Sequence, residues 1–249
     1  MIRLENISSG YGGRTVLSRL SATFERGKLT AVVGPNGSGK STLLKTVNGI
    51  IPALSGQVTV DGVPTSTMTR RQIAHKMAYL AQGNHTPDMT VEQLVLQGRF
   101  PYLHYPCSYG EADYAAVAAA LEQVDMTKYA SAHLDTLSGG LRQTAYIAMA
   151  LAQDTPFILL DEPTTYLDVS HQLSLMATLE ALVSQGKGIV AVLHDLPLAF
   201  TFAHSVVVME EGSIVCSGTP EAVCESGRIE GVFGVKLLYD GDYRYSYNK

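Results

Sequence analysis

The octamer Gly34-Pro35-Asn36-Gly37-Ser38-Gly39-Lys40-Ser41 constrains the fold of this chain more than any other stretch. It matches G-x-x-x-x-G-K-[ST] and stands between a β-prone run, Leu29-Thr30-Ala31-Val32-Val33, and a helix-prone run, Thr42-Leu43-Leu44-Lys45. A triphosphate carries several negative charges on adjacent groups, so a protein that holds one must bring many N–H donors close without side-chain obstruction. Gly34, Gly37 and Gly39 permit φ > 0 and close backbone approach, with Asn36, Ser38 and Thr42 completing the loop and its helix start. The helix then presents free N–H groups and its positive dipole end to the phosphates. Lys40 is placed to reach the β- and γ-phosphates, and the Ser41 hydroxyl to ligate Mg²⁺. Strand, glycine loop and helix in this order predict an α/β domain.

The chain has 249 residues, 46% of them hydrophobic, enough to bury the core of one large α/β domain. A formal net charge of −5 and the absence of a long Lys/Arg cluster argue against nucleic acid as a partner. Cys107, Cys216 and Cys224 are widely spread and odd in number, which suits buried or inert free thiols in a reducing compartment. The charged start, Met1-Ile2-Arg3-Leu4-Glu5-Asn6, argues against an export signal. No uncharged apolar run reaches the roughly 20 residues that cross a bilayer. The nearest, Leu196 to Met209, holds Pro197 and His204. Membrane association therefore requires a partner.

The first part reads as β-rich: Ile2 to Ile7, Val16 to Phe24, the strand before the octamer, and Gln57 to Gly62 ending in an Asp-Gly turn signal. Thr69 to Lys76 reads as a short helix and Met77 to Ala81 as a strand delivering Gln82. From Gly83 to Gln153 β-prone alternation gives way to helical candidates, at Thr90 to Gln97, Gly110 to Val124 and Ser138 to Gln153. Between them the segment from Gly98 to Pro106, with Pro101 and Pro106 among Phe100, Tyr102, His104 and Tyr105, predicts a shaped loop. Strands at Phe157 to Asp161, Gly188 to Leu193 and Ser205 to Met209 then alternate with helices at Val169 to Ser184 and Leu196 to Ala203, which signals a parallel sheet. The ending, Tyr239 to Tyr247, reads as a terminal β segment. This predicts a nucleotide-binding core with a β-subdomain over 1–82 and 154–249, and an inserted helical lobe over 83–153.

Four apolar residues followed by Asp161-Glu162 describe a buried strand that ends in two carboxylates at the carboxyl edge of the sheet, where α/β proteins bind ligands. Asp161 is the expected Mg²⁺ orienter, and Glu162 the group that polarises an attacking water. Alone the pair reads more readily as a helix cap or a solvated turn, and it is the phosphate loop that reverses this. With Leu137-Ser138-Gly139-Gly140 between the two nucleotide motifs, the chain resembles the ATP-binding subunits of ABC transporters over nearly its whole length. The resemblance implies a P-loop NTPase (RecA-like) core with an N-terminal antiparallel β-subdomain and the inserted helical subdomain. It further implies Gln82 at the Q-loop, where it approaches the metal and the attacking water, Asp168 at the D-loop, and His194 at the switch. Tyr11 stands where the family stacks an aromatic on adenine. The implied assembly is a head-to-tail pair in which Ser138, Gly139 and Gly140 of one copy face the ATP on the other.

Leu141 departs from the family's usual Gln or Glu, and Thr144 from a common arginine. Within the family, Ala148 to Pro156, Asp161 to Asp168 and Gly98-Arg99-Phe100-Pro101-Tyr102 resemble importers of iron–siderophore complexes, haem and cobalamin. The resemblance implies integral-membrane permease subunits as partners, a substrate-binding protein acting indirectly, and a peripheral place on the cytoplasmic face of the cell membrane. Alternatives are a soluble ABC ATPase of iron–sulfur cluster assembly, a nonhydrolytic binding module, or a GTPase. The GTPase reading lacks an internal Asn-Lys-x-Asp motif to read the base.

Overall fold

The computed structural model describes residues 1–83, 86–104 and 108–246. The chain opens with β1 (Ile2–Tyr11) and β2 (Arg14–Phe24), an antiparallel pair. Their apolar residues Ile2, Leu4, Ile7, Leu17, Leu20 and Phe24 are buried while their neighbours face water, the period-2 pattern of a sheet with one covered face. Both strands run longer than the periodicity predicts, because register shifts carry the pairing of β1 past Asn6, which has φ 50°.

β3 (Leu29–Val33) is buried at every position and feeds the octamer, which ends in α1 (Lys40–Val47). β4 (Ala53–Val60) and the short β5 (Val63–Pro64) form a hairpin beside β1. Its turn residues Asp61 and Gly62 have φ 51° and 82°, which is why the chain spends an Asp-Gly there. Next come α2 (Arg70–Ala74), capped reciprocally by Thr69 and Gln72, and β6 (Met77–Leu80).

Three helices follow: α3 (Val91–Gln97), α4 (Glu111–Gln123) and α5 (Gly139–Ala152). Thr90 and Ser138 cap α3 and α5, each side chain accepting from the N–H three residues on. Within the predicted shaped loop, Phe100–Tyr102 make one 3₁₀ turn, while Tyr105, Pro106 and Cys107 lie outside the described residues. Arg99 braces this turn: its guanidinium stacks over the Tyr102 ring at 3.9 Å and pairs with Asp113 at 3.0 Å.

The rest alternates as predicted, through β7 (Phe157–Asp161), α6 (Val169–Ser184), β8 (Gly188–Val192), α7 (Leu196–Phe202) and β9 (Ser205–Glu210). The apolar run from Leu196 to Met209 is therefore a two-turn helix and a sheet strand, and no helix among the described residues is long and apolar enough to cross a membrane. Beyond it lie elements that hydrophobic periodicity did not disclose: β10 (Ser213–Gly218), α8 (Pro220–Glu225) and α9 (Arg228–Phe233). The predicted terminal β segment is a hairpin of β11 (Lys236–Tyr239) and β12 (Tyr243–Ser246), turned at Gly241 with φ 81°. Cys216 and Cys224 are half-buried rather than buried, on β10 and α8.

The main sheet has the order β10-β9-β3-β8-β7-β6, parallel except for β10, and a second sheet has the order β2-β1-β4-β5. One apolar cluster joins the second sheet and α1 to one face of the main sheet. The other covers the opposite face with α6 and α7 and runs without a break into α3, α4 and α5. A main sheet covered on both faces needs the continuous apolar runs seen in β3, β7 and β8.

Candidate functional site

Because β6, β7, β8 and β3 are parallel neighbours, their carboxyl ends lie along one edge. The register sets Val192 beside both Val32 and Asp161. The octamer leaves β3, Gln82 follows β6, Asp161-Glu162 ends β7, and His194 follows β8, so four segments distant in sequence meet. They enclose an open cleft of about 690 Å³ lined by Asn36, Gly37, Gly39, Lys40, Ser41, Thr42, Gln82, Glu162 and His194, with Val16 and Thr165.

The loop needs glycine for two different reasons. Gly37 and Gly39 take φ 81° and 99°, a region costly for residues with a Cβ. Gly34 does not: its need is space, since a Cβ there would meet the Met209 carbonyl oxygen at 2.3 Å and Ser38 Oγ at 2.7 Å. The Lys40 ammonium donates to the carbonyls of Gly34 and Pro35 at 2.7 and 2.8 Å. Burial lowers its pKa, and the negative charges of Glu162 and Asp161 act against that shift.

The acidic pair divides between two clusters. Asp161 is buried; its Oδ1 accepts from Ser41 Oγ at 2.9 Å and its Oδ2 from the Tyr79 hydroxyl at 3.2 Å. Burial raises the Asp161 pKa against the opposing effect of those two donors, while burial beside that carboxylate raises the Tyr79 pKa and keeps its hydroxyl a donor. Glu162 faces the cleft. Its Oε2 accepts from Gln82 Nε2 at 2.6 Å and from Thr165 Oγ1 at 3.3 Å, and its Oε1 lies 2.7 Å from His194 Nε2. Glu162 also has φ 55°. A glutamate held in the left-handed region stores roughly 1–3 kcal/mol of local strain, and such strain gathers where orientation matters.

Several residues expected at the site stand elsewhere. Tyr11 ends β1 half-exposed and is not part of the cleft lining, whereas Val16 of the next strand is. Ser38 is buried within the loop. Ser138, Gly139 and Gly140 lie outside this cleft: Ser138 caps α5, and Gly139 faces Tyr166, itself at φ 69°. Asp168 is exposed and caps α6, its Oδ1 accepting from the His171 N–H at 2.9 Å, which, with the His171 ring and Ser170 Oγ, holds its pKa down at about 2. Leu141 and Thr144 point away from the cleft, into a cavity between α5 and α6. Thr144 Oγ1 donates to the Gly140 carbonyl at 3.1 Å, a local partner for the position where an arginine is common. Tyr79 and Thr165 were not expected. Thr165, three residues past Glu162, could have been found from its place in the acidic motif, but Tyr79 carries no sequence signal beyond strand alternation.

The donor set fits a nucleotide. α1 has Gly39 at its N-cap and no side chain on its first-turn N–H groups, whereas α2, α3, α5, α6, α7 and α8 are each capped by Thr, Ser or Asp. Ser38 Oγ is buried with no hydrogen-bond partner among the described residues, and no carboxylate there lies within ion-pair distance of Lys40. An anion held by several N–H groups and one buried ammonium is what such a loop accepts. Ser41 Oγ and Asp161 Oδ1 form a hard-oxygen pair suited to Mg²⁺, which typically takes one or two carboxylates and draws its other ligands from phosphates and water. Gln82 sits on Glu162 rather than on that pair.

The family model described as ABC transporter matches residues 17–165. The chain is 40% identical to the ferric enterobactin transport ATP-binding protein of Escherichia coli (strain K12), over 97% of this chain and 90% of that one. It is also 40% identical to the iron(3+)-hydroxamate import ATP-binding protein of Bacillus subtilis (strain 168), over 93% and 87%. Among solved structures, a dimeric bacterial ABC transporter cassette superposes with a TM-score of 0.78 at 26% identity, covering 88% of this chain and 99% of that one. An ABC transporter assigned to the metal-chelate type, in an inward-facing conformation, gives a TM-score of 0.84 at 25% identity, covering 99% and 97%.

Proposed function

The chain belongs to the ABC transporter family of ATPases, and we propose that it is the ATP-hydrolysing subunit of a bacterial importer for an iron–siderophore, haem or related metal chelate. The observation that carries the chemistry is Glu162, held between Gln82 and His194 at the mouth of the phosphate-loop cleft. A carboxylate whose two oxygens are both held by neighbours is a positioned base: it takes a proton from water entering beside Lys40, and His194 keeps its Oε1 in place. Lys40, Ser41, Thr42, Gly37 and Gly39 hold the triphosphate, with Tyr11 beside the adenine. Ser41 and Asp161 would hold Mg²⁺, with Gln82 turning to it from Glu162, and the ion would supply charge neutralisation at the phosphates.

Ser138, Gly139 and Gly140 have no reach into their own cleft, which supports their acting on nucleotide held by a second copy, with Asp168 near the shared seam. On this reading 83–153 is the lobe that carries them, and 1–82 with 154–249 the nucleotide-binding core. The cargo reading rests on the relatives, whose whole length this chain nearly spans, and which favour an importer over an iron–sulfur scaffold. Phe100, 66% exposed beside a cavity walled by α2 and α3, suits an apolar contact with a membrane subunit on the cytoplasmic face. The test is crosslinking in membranes followed by uptake of ferric siderophores, haem and cobalamin. An integral-membrane partner and ATP-dependent uptake of one chelate are expected; a purely soluble partner would refute the importer.

Tyr79 is expected to matter through Asp161. Tyr79→Phe removes one of that carboxylate's two donors without changing volume, so ATP turnover should fall about 3- to 10-fold, the size of one net hydrogen bond. A titration of ATPase rate against Mg²⁺ checks this, half-saturation moving to higher Mg²⁺ in the variant.

A further inference from the structure

His194 is 44% exposed and its ring has one described partner, Glu162 Oε1. Packing therefore does little to orient the imidazole, and its aim depends on where the backbone holds it. Upstream, the Leu193 N–H donates to the Val32 carbonyl at 3.2 Å and anchors the end of β8 to the sheet. Downstream, the chain enters α7 within two residues. That helix is two turns long, too short to hold itself together, so what touches its first turn sets its position. Asp195 Oδ1 accepts from the Leu198 N–H at 2.8 Å. The Leu196 N–H, also left without a partner inside the helix, donates to the hydroxyl of Tyr245 at 3.1 Å, which comes from 49 positions further along the chain. The rest of the terminal hairpin is seated on the same helix: Tyr243 meets Phe200 edge to face with centroids 5.4 Å apart, and Tyr239 packs on Tyr243 at 4.8 Å.

We propose that Tyr245 is a positioning residue for hydrolysis: by accepting the Leu196 N–H it pins the downstream side of the His194 turn, and so ties the aim of the imidazole at Glu162 to the docking of the carboxyl-terminal hairpin. This rests on the reading of His194 as the group that orients Glu162. Tyr245 does not line the cleft and is not among the described partners of Glu162, so its removal is expected to act on the chemical step and not on the hold over ATP. A hairpin that shifts on α7 would change turnover from outside the cleft.

The experiment is Tyr245→Phe in the full chain, measured by single-turnover ATPase alone and combined with His194→Ala. The hydrolysis rate is expected to fall about 3- to 10-fold, as for loss of one net hydrogen bond. The KM for ATP should stay near wild type, the Tm should fall by no more than a few degrees, and Tyr245→Phe should cause no further fall in rate in the His194→Ala background. Amide exchange at Leu196 should quicken while Ile189 to Val192 keep their protection. A wild-type rate in Tyr245→Phe, an equal fall with and without His194, or unchanged exchange at Leu196 would each overturn the proposal. If His194→Ala itself turned over normally, the role given to His194 would fail with it. A large loss in His194→Ala beside a normal Tyr245→Phe would overturn only the link to the hairpin.

Discussion

Glu162→Gln is expected to lower ATP turnover by about 10²–10⁴, the range for removing a positioned general base, while MgATP binding persists. Glutamine matches the carboxylate in shape, so the variant isolates the proton acceptor. Its side-chain oxygen can still accept from Gln82 and Thr165, as Oε2 does, and its amide can donate to His194 Nε2 when the imidazole carries its proton on Nδ1. The backbone is unaffected, because both side chains bear the same cost at φ 55°. The same variant should dimerise when MgATP is added, since the cleft closes on nucleotide but cannot cleave it. Rapid-quench ATPase assays and light scattering check the two halves. Wild-type turnover would remove Glu162 from the role of base, and a monomer at saturating MgATP would remove the shared seam. Turnover lost without dimerisation would separate the chemistry of one cleft from its completion by a partner.

The parts of this site that could be read in the sequence are those where chemistry and chain direction coincide. The octamer, Asp161-Glu162 and His194 each sit at or just past a strand end, and parallel pairing of β6, β7, β8 and β3 brings all of them to one edge. The bounds of β3, β7 and α6 match their sequence signals because those elements are buried runs or carry a clear cap, Asp168 for α6. What stayed hidden depends on contacts between distant segments. Tyr79 holds Asp161 across 82 positions, and nothing near Tyr79 marks it as different from a core aromatic. The stretch from β10 to α9 was missed because its strand is only partly buried and its two helices are six residues each, too short for a helical period to show. The sequence suggests freedom in φ as the reason for Gly34, yet its constraint comes from Met209 on β9, which the local sequence does not reveal.

That constraint makes Gly34→Ala the sharpest steric test of the phosphate loop. The added methyl group would stand 2.3 Å from the Met209 carbonyl oxygen and 2.7 Å from Ser38 Oγ. The first obstacle is backbone, so no change of side chain at position 209 can relieve it; either β9 or the loop must move. If the loop moves, the Gly34 and Pro35 carbonyls that hold the Lys40 ammonium move with it. Overpacking of this kind costs about 1–3 kcal/mol. In a chain of this size that lowers the Tm by roughly 2–4 °C per kcal/mol. Nucleotide affinity should fall more than tenfold, because the ammonium and the N–H groups must converge on the same phosphates and a displaced loop breaks that convergence. Gly37→Ala supplies the contrast: a Cβ there meets nothing within 4 Å, so its cost is the conformational one of φ 81°, about 1–2 kcal/mol. Thermal melts with and without a nonhydrolysable ATP analogue separate the two, Gly34→Ala losing most of the ligand-induced rise in Tm and Gly37→Ala keeping more of it. An undiminished rise in Gly34→Ala would mean that the loop, not its contact with β9, sets the geometry that grips the triphosphate.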